Sequence, residues 1–201
     1  MASDLLTTLD FTSSEPADFG ANSLDIATLG PALRGVLFTD GTVTRALEVQ
    51  TLARISVDVV SQCDAPVPEA AASRLDVPHG APSIKRQIAM RFGGDREEAS
   101  VWAESFILAE RLPPGFVRRL TGAQHGIGES LQSLKVESWR DLLWCQLGRR
   151  PEWGTHGERA GDLAITRLYR VVTGGKPALL ISECFAVEAR GEGYELVAQR
   201  G

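Results

Sequence analysis

The chain has 201 residues, 43% of them hydrophobic, which suits one domain that is large enough to bury its own core. Its formal net charge is −5 and it has no basic block, so the composition argues against nucleic acid as a partner. No apolar stretch is long enough to span a bilayer, no signal peptide begins the chain, and the three cysteines match no metal-ligand spacing. We therefore expect a cytoplasmic protein with neither a metal nor a membrane partner, and the sequence carries no signal for an oligomeric state.

The predicted elements begin after a loose N-terminal arm at residues 1–22, which is rich in polar residues and has no sustained period. Residues 23–38 have helical spacing that Gly30-Pro31 interrupts, so two short helices are predicted, and Thr42 can cap a third. The period then changes to two at residues 54–60, which predicts a half-buried strand.

The rest of the chain is dominated by hairpin signals. One hairpin is predicted from strands at residues 83–92 and 99–108, and a second from strands at 163–172 and 177–187. Short helices at 115–120 and 128–134 and an extended segment at 136–147 lie between them. The pattern predicts an α+β domain over residues 23–201 with a mainly antiparallel sheet.

One carboxylate stands out in the last predicted strand. Glu183 lies in the middle of an apolar run, and strand alternation places it on the same face as Leu179, Ile181 and Phe185. Burying a carboxylate without a partner costs several kcal/mol, so such a group is usually paired, protonated or functional. Glu183 is therefore the first candidate for chemistry.

A buried cation is predicted as well. Arg86 alternates along its strand with Ile84, Ile88 and Met90, on an apolar face. A guanidinium is always charged and can bind a carboxylate through two nitrogens at once, so an inward arginine needs an anion. That anion is either Glu183, in an internal salt bridge, or a ligand held between the two side chains.

Two further arginines, Arg167 and Arg170, lie on the strand expected to pair with that of Glu183. A two-residue turn at Gly174-Gly175 puts Arg170 on the Glu183 face, whereas a loop one residue longer puts Arg167 there. The sequence leaves both registers open.

Four segments, taken in order, resemble the chorismate pyruvate-lyase family, and the resemblance extends from about residue 29 to residue 187. The strand Arg167-x-Tyr-Arg170 is closer to the actinobacterial and cyanobacterial branch than to the ubiquinone-pathway enzymes. The four segments are Leu33 to Glu48 with its Thr42-Val-Thr-Arg45 helix start, Ile84-Lys-Arg86, Leu112-Pro with Gly126-Ile-Gly128, and Gly175-Lys-Pro with Ile181-Ser-Glu-Cys-Phe185.

The resemblance implies a single six-stranded antiparallel sheet whose helices cover an enclosed ligand pocket. It also implies cofactor-free cleavage of a small-molecule substrate, chorismate, to 4-hydroxybenzoate and pyruvate. By position, Arg86 binds the ring carboxylate with help from the backbone N–H groups of Val43 and Ile127. Glu183 lies at the ether oxygen, which is expected to become the phenol hydroxyl.

The residue types suit this chemistry. Glu183 is expected to manage the proton at the leaving oxygen, while Arg167 or Arg170 neutralises the enolpyruvyl carboxylate. Two alternatives stay open: a non-catalytic binder of aromatic acids with the same fold, and a relative in secondary metabolism that acts on another chorismate-derived acid. Turnover of chorismate separates the three.

Overall fold

The computed structural model describes residues 24–92, 99–122, 126–150, 162–191 and 193–197 of the chain. The arm predicted for residues 1–22 lies outside them. Within these ranges no helix is both long and apolar enough to cross a membrane. The elements in chain order are α1 (Pro31–Leu37), α2 (Val43–Thr51), β1 (Ile55–Pro66), α3 (Glu69–Leu75), β2 (Pro82–Phe92), β3 (Val101–Ile107), α4 (Pro114–Gly122), α5 (Ile127–Ser133), β4 (Ser138–Arg149), β5 (Leu163–Thr173), β6 (Lys176–Arg190) and β7 (Gly193–Leu196).

The strands form one sheet in the order β1-β2-β3-β6-β5-β4, in which every neighbouring pair is antiparallel. The predicted α+β architecture with a mainly antiparallel sheet is thereby confirmed. A seventh strand, β7, pairs with the end of β6, whereas six strands were predicted. The four residues of β7 are too few to show a strand period, so this strand was not predicted.

Four helices pack on the face of the sheet that carries Glu183. The side chains of α1 and α2 join those of Val101, Ile165 and Phe185 in one apolar cluster. The side chains of α4 and α5 join Leu179 and Ile181 in a second cluster. Helix α3 packs on the opposite face. The helices thus bury both faces of the central strands, and the two clusters on the Glu183 face leave space between them.

The hairpin of β5 and β6 contains both a tight turn and a bulge. Gly174 and Gly175 have φ of 57° and 76°, the left-handed conformation that a two-residue hairpin turn requires at both positions. The turn pairs Thr173 with Lys176, as the shorter loop predicted. A bulge then changes the register, because Val172 pairs with Pro177 but the next residue, Val171, pairs with Leu179.

The bulge decides which arginine faces Glu183. With one extra residue inserted on β6, the parity of all later pairs reverses, and Arg167 lies directly opposite Glu183. Arg170 pairs with Leu180 and belongs to the other face of the sheet. The prediction that a two-residue turn brings Arg170 to the Glu183 face is therefore wrong, because it allowed for the turn and not for a bulge beyond it.

Candidate active site

A pocket lies between the two apolar clusters on the Glu183 face. It contains about 500 Å³ of space free of protein atoms, a figure that includes the open solvent at its mouth. Its apolar wall includes Ile88, Met90 and Ile181. The lining includes four ionisable side chains, those of Arg86, Arg140, Tyr169 and Glu183, and the helix residues Val43 and Ile127.

Glu183 is almost fully buried, with 4% of its surface exposed, as the alternation of its strand predicted. Its Oε2 accepts a hydrogen bond from Nε of Arg167 at 2.8 Å, and its Oε1 accepts one from the hydroxyl of Tyr169 at 3.0 Å. A carboxylate has about four acceptor positions, so these two hydrogen bonds leave acceptor capacity on a side chain that lines the pocket.

Arg167 stands behind Glu183 and is 2% exposed. Its Nη1 donates to the carbonyl oxygens of Leu37 at 2.6 Å and Val36 at 3.1 Å, so the end of α1 fixes the guanidinium. Burial by itself lowers the pKa of Arg167, but the charge of Glu183 and its hydrogen bond outweigh this effect and raise that pKa. Arg167 therefore stays charged and orients the carboxylate, and it is not among the residues that line the pocket.

Arg170, the other arginine considered from sequence, lies outside the pocket. Its Nε donates to Oδ2 of Asp141 at 2.7 Å, and its Nη1 donates to the carbonyl oxygen of Arg74. The ion pair with Asp141 is partly exposed, with a third or more of each side chain accessible to solvent. Both contacts connect β5 to α3 and β4, on the face away from Glu183.

Arg86 is 1% exposed and lines the pocket from β2. Its Nη1 donates to Oε1 of Gln62 at 2.7 Å and to the carbonyl oxygen of Leu120 at 2.9 Å. Burial lowers the pKa of Arg86. In the strand register, Arg86 lies opposite Ser105 and Glu183 lies opposite Ala103, two residues apart along β3, so the two side chains are on the same face. The structure thus brings Arg86 and Glu183 to one pocket.

Val43 and Ile127 are the first residues of α2 and α5, and both line the pocket. The first N–H groups of a helix have no partner within the helix, so they are suited to bind an anion or a polar ligand atom. The two helix starts touch each other, since a Cβ added at Gly128 would lie only 2.8 Å from Cγ2 of Thr42. This close approach lets two chain segments that are far apart in sequence close one wall.

Two lining residues were not predicted as site residues: Arg140 was not considered, and Tyr169 was placed on the Glu183 face only in the longer-loop register, together with Arg167, and was given no role. Tyr169 is buried, and its pKa is raised well above the usual range, first by burial and then by the charge of Glu183. Arg140, on β4, was missed because the sequence Ser138-Trp-Arg-Asp-Leu-Leu has no clear alternation that would assign it to a face. Within the described residues, no group of three or more His, Cys, Asp and Glu side chains could hold a metal ion.

Comparisons with known proteins place the chain in a family. The family model of the Rv2949c-like chorismate pyruvate-lyases matches residues 37–191. A chorismate pyruvate-lyase of Mycobacterium leprae is 30% identical over 174 residues, which cover 80% of this chain and 77% of that protein. Its counterpart in Mycobacterium tuberculosis, strain CDC 1551, is 28% identical over 164 residues, 80% of this chain and 82% of that protein.

A solved structure shows the same fold. The effector domain of PhnF from Mycobacterium smegmatis aligns with a TM-score of 0.57, over 74% of this chain and 90% of that domain, at 14% sequence identity. At this identity the likeness concerns the fold alone. The family match covers most of the chain, including the strands and helix starts that build the pocket, and on that basis this chain belongs to the Rv2949c-like chorismate pyruvate-lyase family.

Proposed function

We propose that this protein cleaves chorismate to 4-hydroxybenzoate and pyruvate without a cofactor. The observation that carries the proposal is one apolar pocket that contains a buried arginine, a buried glutamate and two helix starts. The relatives named as chorismate pyruvate-lyases make chorismate the first substrate to test.

Arg86 is proposed to bind the carboxylate on the ring. Its planar guanidinium can donate two parallel hydrogen bonds to a carboxylate, and such charged hydrogen bonds are stronger in a pocket with little water. The backbone N–H groups at Val43 and Ile127, which line the same pocket, add further donors. The ring itself then lies against Ile88, Met90 and Ile181, which line the pocket between these polar groups.

The atom balance of the reaction defines the role of Glu183. The bond between C3 and the ether oxygen breaks, the proton on C4 is lost, and the ring becomes aromatic. The departing enolpyruvate takes up one proton on its methylene carbon to give pyruvate. No electrons are gained or lost overall, so neither an oxidant nor a reductant is consumed.

The same balance corrects one expectation from the sequence. The ether oxygen leaves with pyruvate, and the phenol oxygen of the product is the C4 hydroxyl of the substrate. We therefore assign Glu183 to C4, where its open acceptor positions can bind the hydroxyl and receive the adjacent proton. Positioned proton transfer of this kind contributes about 10²–10⁴-fold to rate.

Arg167 is proposed to act through Glu183 and to make no contact with substrate. It is 2.8 Å from Glu183, it donates to the end of α1, and it does not line the pocket. Tyr169 holds the second carboxylate oxygen. Together they fix the position of the proton-transferring group, which reduces the reorganisation needed at each turnover.

The test is incubation of the purified protein with chorismate, with pyruvate measured by a coupled assay and the aromatic product by absorbance. Equal release of pyruvate and 4-hydroxybenzoate, lost in Glu183→Gln, is the expected result. No pyruvate would overturn the proposal, and tight binding of 4-hydroxybenzoate without turnover would then identify a binding protein. Release of pyruvate from another chorismate-derived acid, and not from chorismate, would identify a relative with a different substrate.

A further inference from the structure

Arg140 is a second cation in the pocket, on the side opposite Arg86. The strand order between them is β2-β3-β6-β5-β4, so Arg86 and Arg140 are four strand spacings apart. On a flat sheet this corresponds to roughly 19 Å between their backbones, and the curvature of the sheet shortens it. Both side chains line the same pocket, so the ligand space lies between two guanidinium groups.

The hydrogen bonds of Arg140 leave one buried donor open. Its Nη1 donates to the carbonyl oxygen of Asp40. Its Nε is buried and has no hydrogen-bond partner within the part of the chain that the structure describes. Buried N–H groups of native proteins are nearly always paired, so a donor of this kind in a pocket wall calls for an acceptor from a ligand.

The charges around the pocket favour a ligand with two negative groups. Glu183 is the carboxylate in the lining, and its charge is matched by Arg167 directly behind it. Arg86 and Arg140 add two positive charges to the lining itself. Burial is the largest effect on the pKa of Tyr169 and raises it, whereas the positive charge of Arg140 acts in the opposite direction. Arg140 is therefore close to Tyr169, which donates to Glu183.

We propose that Arg140 binds the second carboxylate of a dianionic substrate, the one carried by the departing enolpyruvyl group, and so makes the pocket select dianions over aromatic monoanions. The inference rests on the proposed function for the identity of the leaving group. It gives Arg140 the role that the sequence assigned to Arg167 or Arg170. After cleavage, pyruvate carries this second charge away, while 4-hydroxybenzoate keeps only the carboxylate at Arg86.

The test compares two unreactive ligands by calorimetry. One is 4-hydroxybenzoate, a monoanion, and the other is 3-(1-carboxyvinyloxy)benzoate, a dianion whose ring is already aromatic and cannot react. In Arg140→Gln the dissociation constant of the dianion is expected to rise roughly 10- to 100-fold, as for loss of a charged hydrogen bond, while that of the monoanion changes less than twofold. In Arg86→Gln both dissociation constants are expected to rise.

The measured quantity is the ratio of the two dissociation constants. A loss of folded protein would affect the apparent binding of both ligands equally and would leave this ratio unchanged. Arg140→Met is the second variant and must shift the ratio in the same direction. Arg91→Gln is the matched control, because Arg91 pairs with Asp58 on the other face of the sheet. An unchanged ratio in both Arg140 variants overturns the inference, as does a shifted ratio in Arg170→Gln alone.

The two proposals fail separately. Neither ligand is turned over, so the ratio reports on Arg140 even in a protein that releases no pyruvate from chorismate. Absence of pyruvate would overturn the lyase activity and leave the binding of dianions standing. An unchanged ratio with normal turnover would overturn the role of Arg140 and leave the lyase activity standing.

Discussion

Replacing Glu183 with glutamine tests the centre of the proposed mechanism, because it removes a charge and a proton acceptor with little change of shape. The glutamine oxygen can still accept from Nε of Arg167, and its amide group can turn towards Tyr169, whose hydroxyl can accept as well as donate. The main loss is electrostatic. Arg167, which is 2% exposed, loses the carboxylate at 2.8 Å that balances its charge.

The magnitudes follow from these contacts. Removing one partner of a buried ion pair costs about 3–5 kcal/mol of stability. Here Arg167 keeps a neutral acceptor and the carbonyl groups of Val36 and Leu37, so we expect a smaller loss of stability, about 2–3 kcal/mol. The loss of proton transfer should reduce kcat by about 10²–10⁴-fold, or about 3–5 kcal/mol in the barrier.

The two effects are measured separately. Urea unfolding followed by circular dichroism gives the loss of stability, and pyruvate release at saturating chorismate gives kcat in the fraction that remains folded. Glu188→Gln on the same strand is the control, since Glu188 is paired only with the exposed Arg190 among the contacts seen, and should change stability by less than about 0.5 kcal/mol. A kcat in Glu183→Gln within twofold of the unsubstituted protein would refute the proton-transfer role, and unchanged stability would refute the coupling to Arg167.

Three further predictions concern other parts of the pocket and the thiols. Arg86→Gln should raise the dissociation constant of 4-hydroxybenzoate about 10- to 100-fold, as measured by calorimetry, and an unchanged value would remove Arg86 as the ring anchor. Gly128→Ala should cost about 1–3 kcal/mol of stability by overpacking and raise KM, because the new Cβ would lie 2.8 Å from Cγ2 of Thr42. Adding Thr42→Ala should restore part of the stability and reverse part of the rise in KM. No recovery would show that the contact between Thr42 and residue 128 is not the cause of the loss. Ellman's reagent at pH 8 should label the exposed Cys63 at once, but Cys145 and Cys184 only after unfolding. Burial raises the pKa of both buried thiols to about 12, so they stay protonated and unreactive in the folded protein. Rapid labelling of all three cysteines would contradict that burial.

The sequence alone predicted the α+β architecture and the inward position of Glu183 because both depend on local patterns. Alternation of apolar and polar residues assigns a side chain to a face of its strand without knowledge of the strand's neighbours. The same logic placed Arg86 inside, and Gly174-Gly175 marked the turn that the structure contains. Residues 29–187 also carried a family resemblance, which the match to residues 37–191 confirms.

The tertiary structure alone decided which cation meets Glu183. A single bulge, at Val171 and Val172, reversed the parity of the hairpin and exchanged Arg170 for Arg167. A bulge depends on how two strands pack against the rest of the sheet, and no residue in the hairpin predicts it.

The position of Arg140 also could not be predicted from the sequence. Its strand has no clear alternation, and its place in the pocket depends on β4 closing the sheet next to β5, far from Arg86 in the strand order. A sequence specifies the face of each strand through local spacing, but the set of side chains that share a pocket depends on long-range pairing. For this protein, spacing placed Glu183 on the inner face of its strand, and strand pairing determined the charges around it.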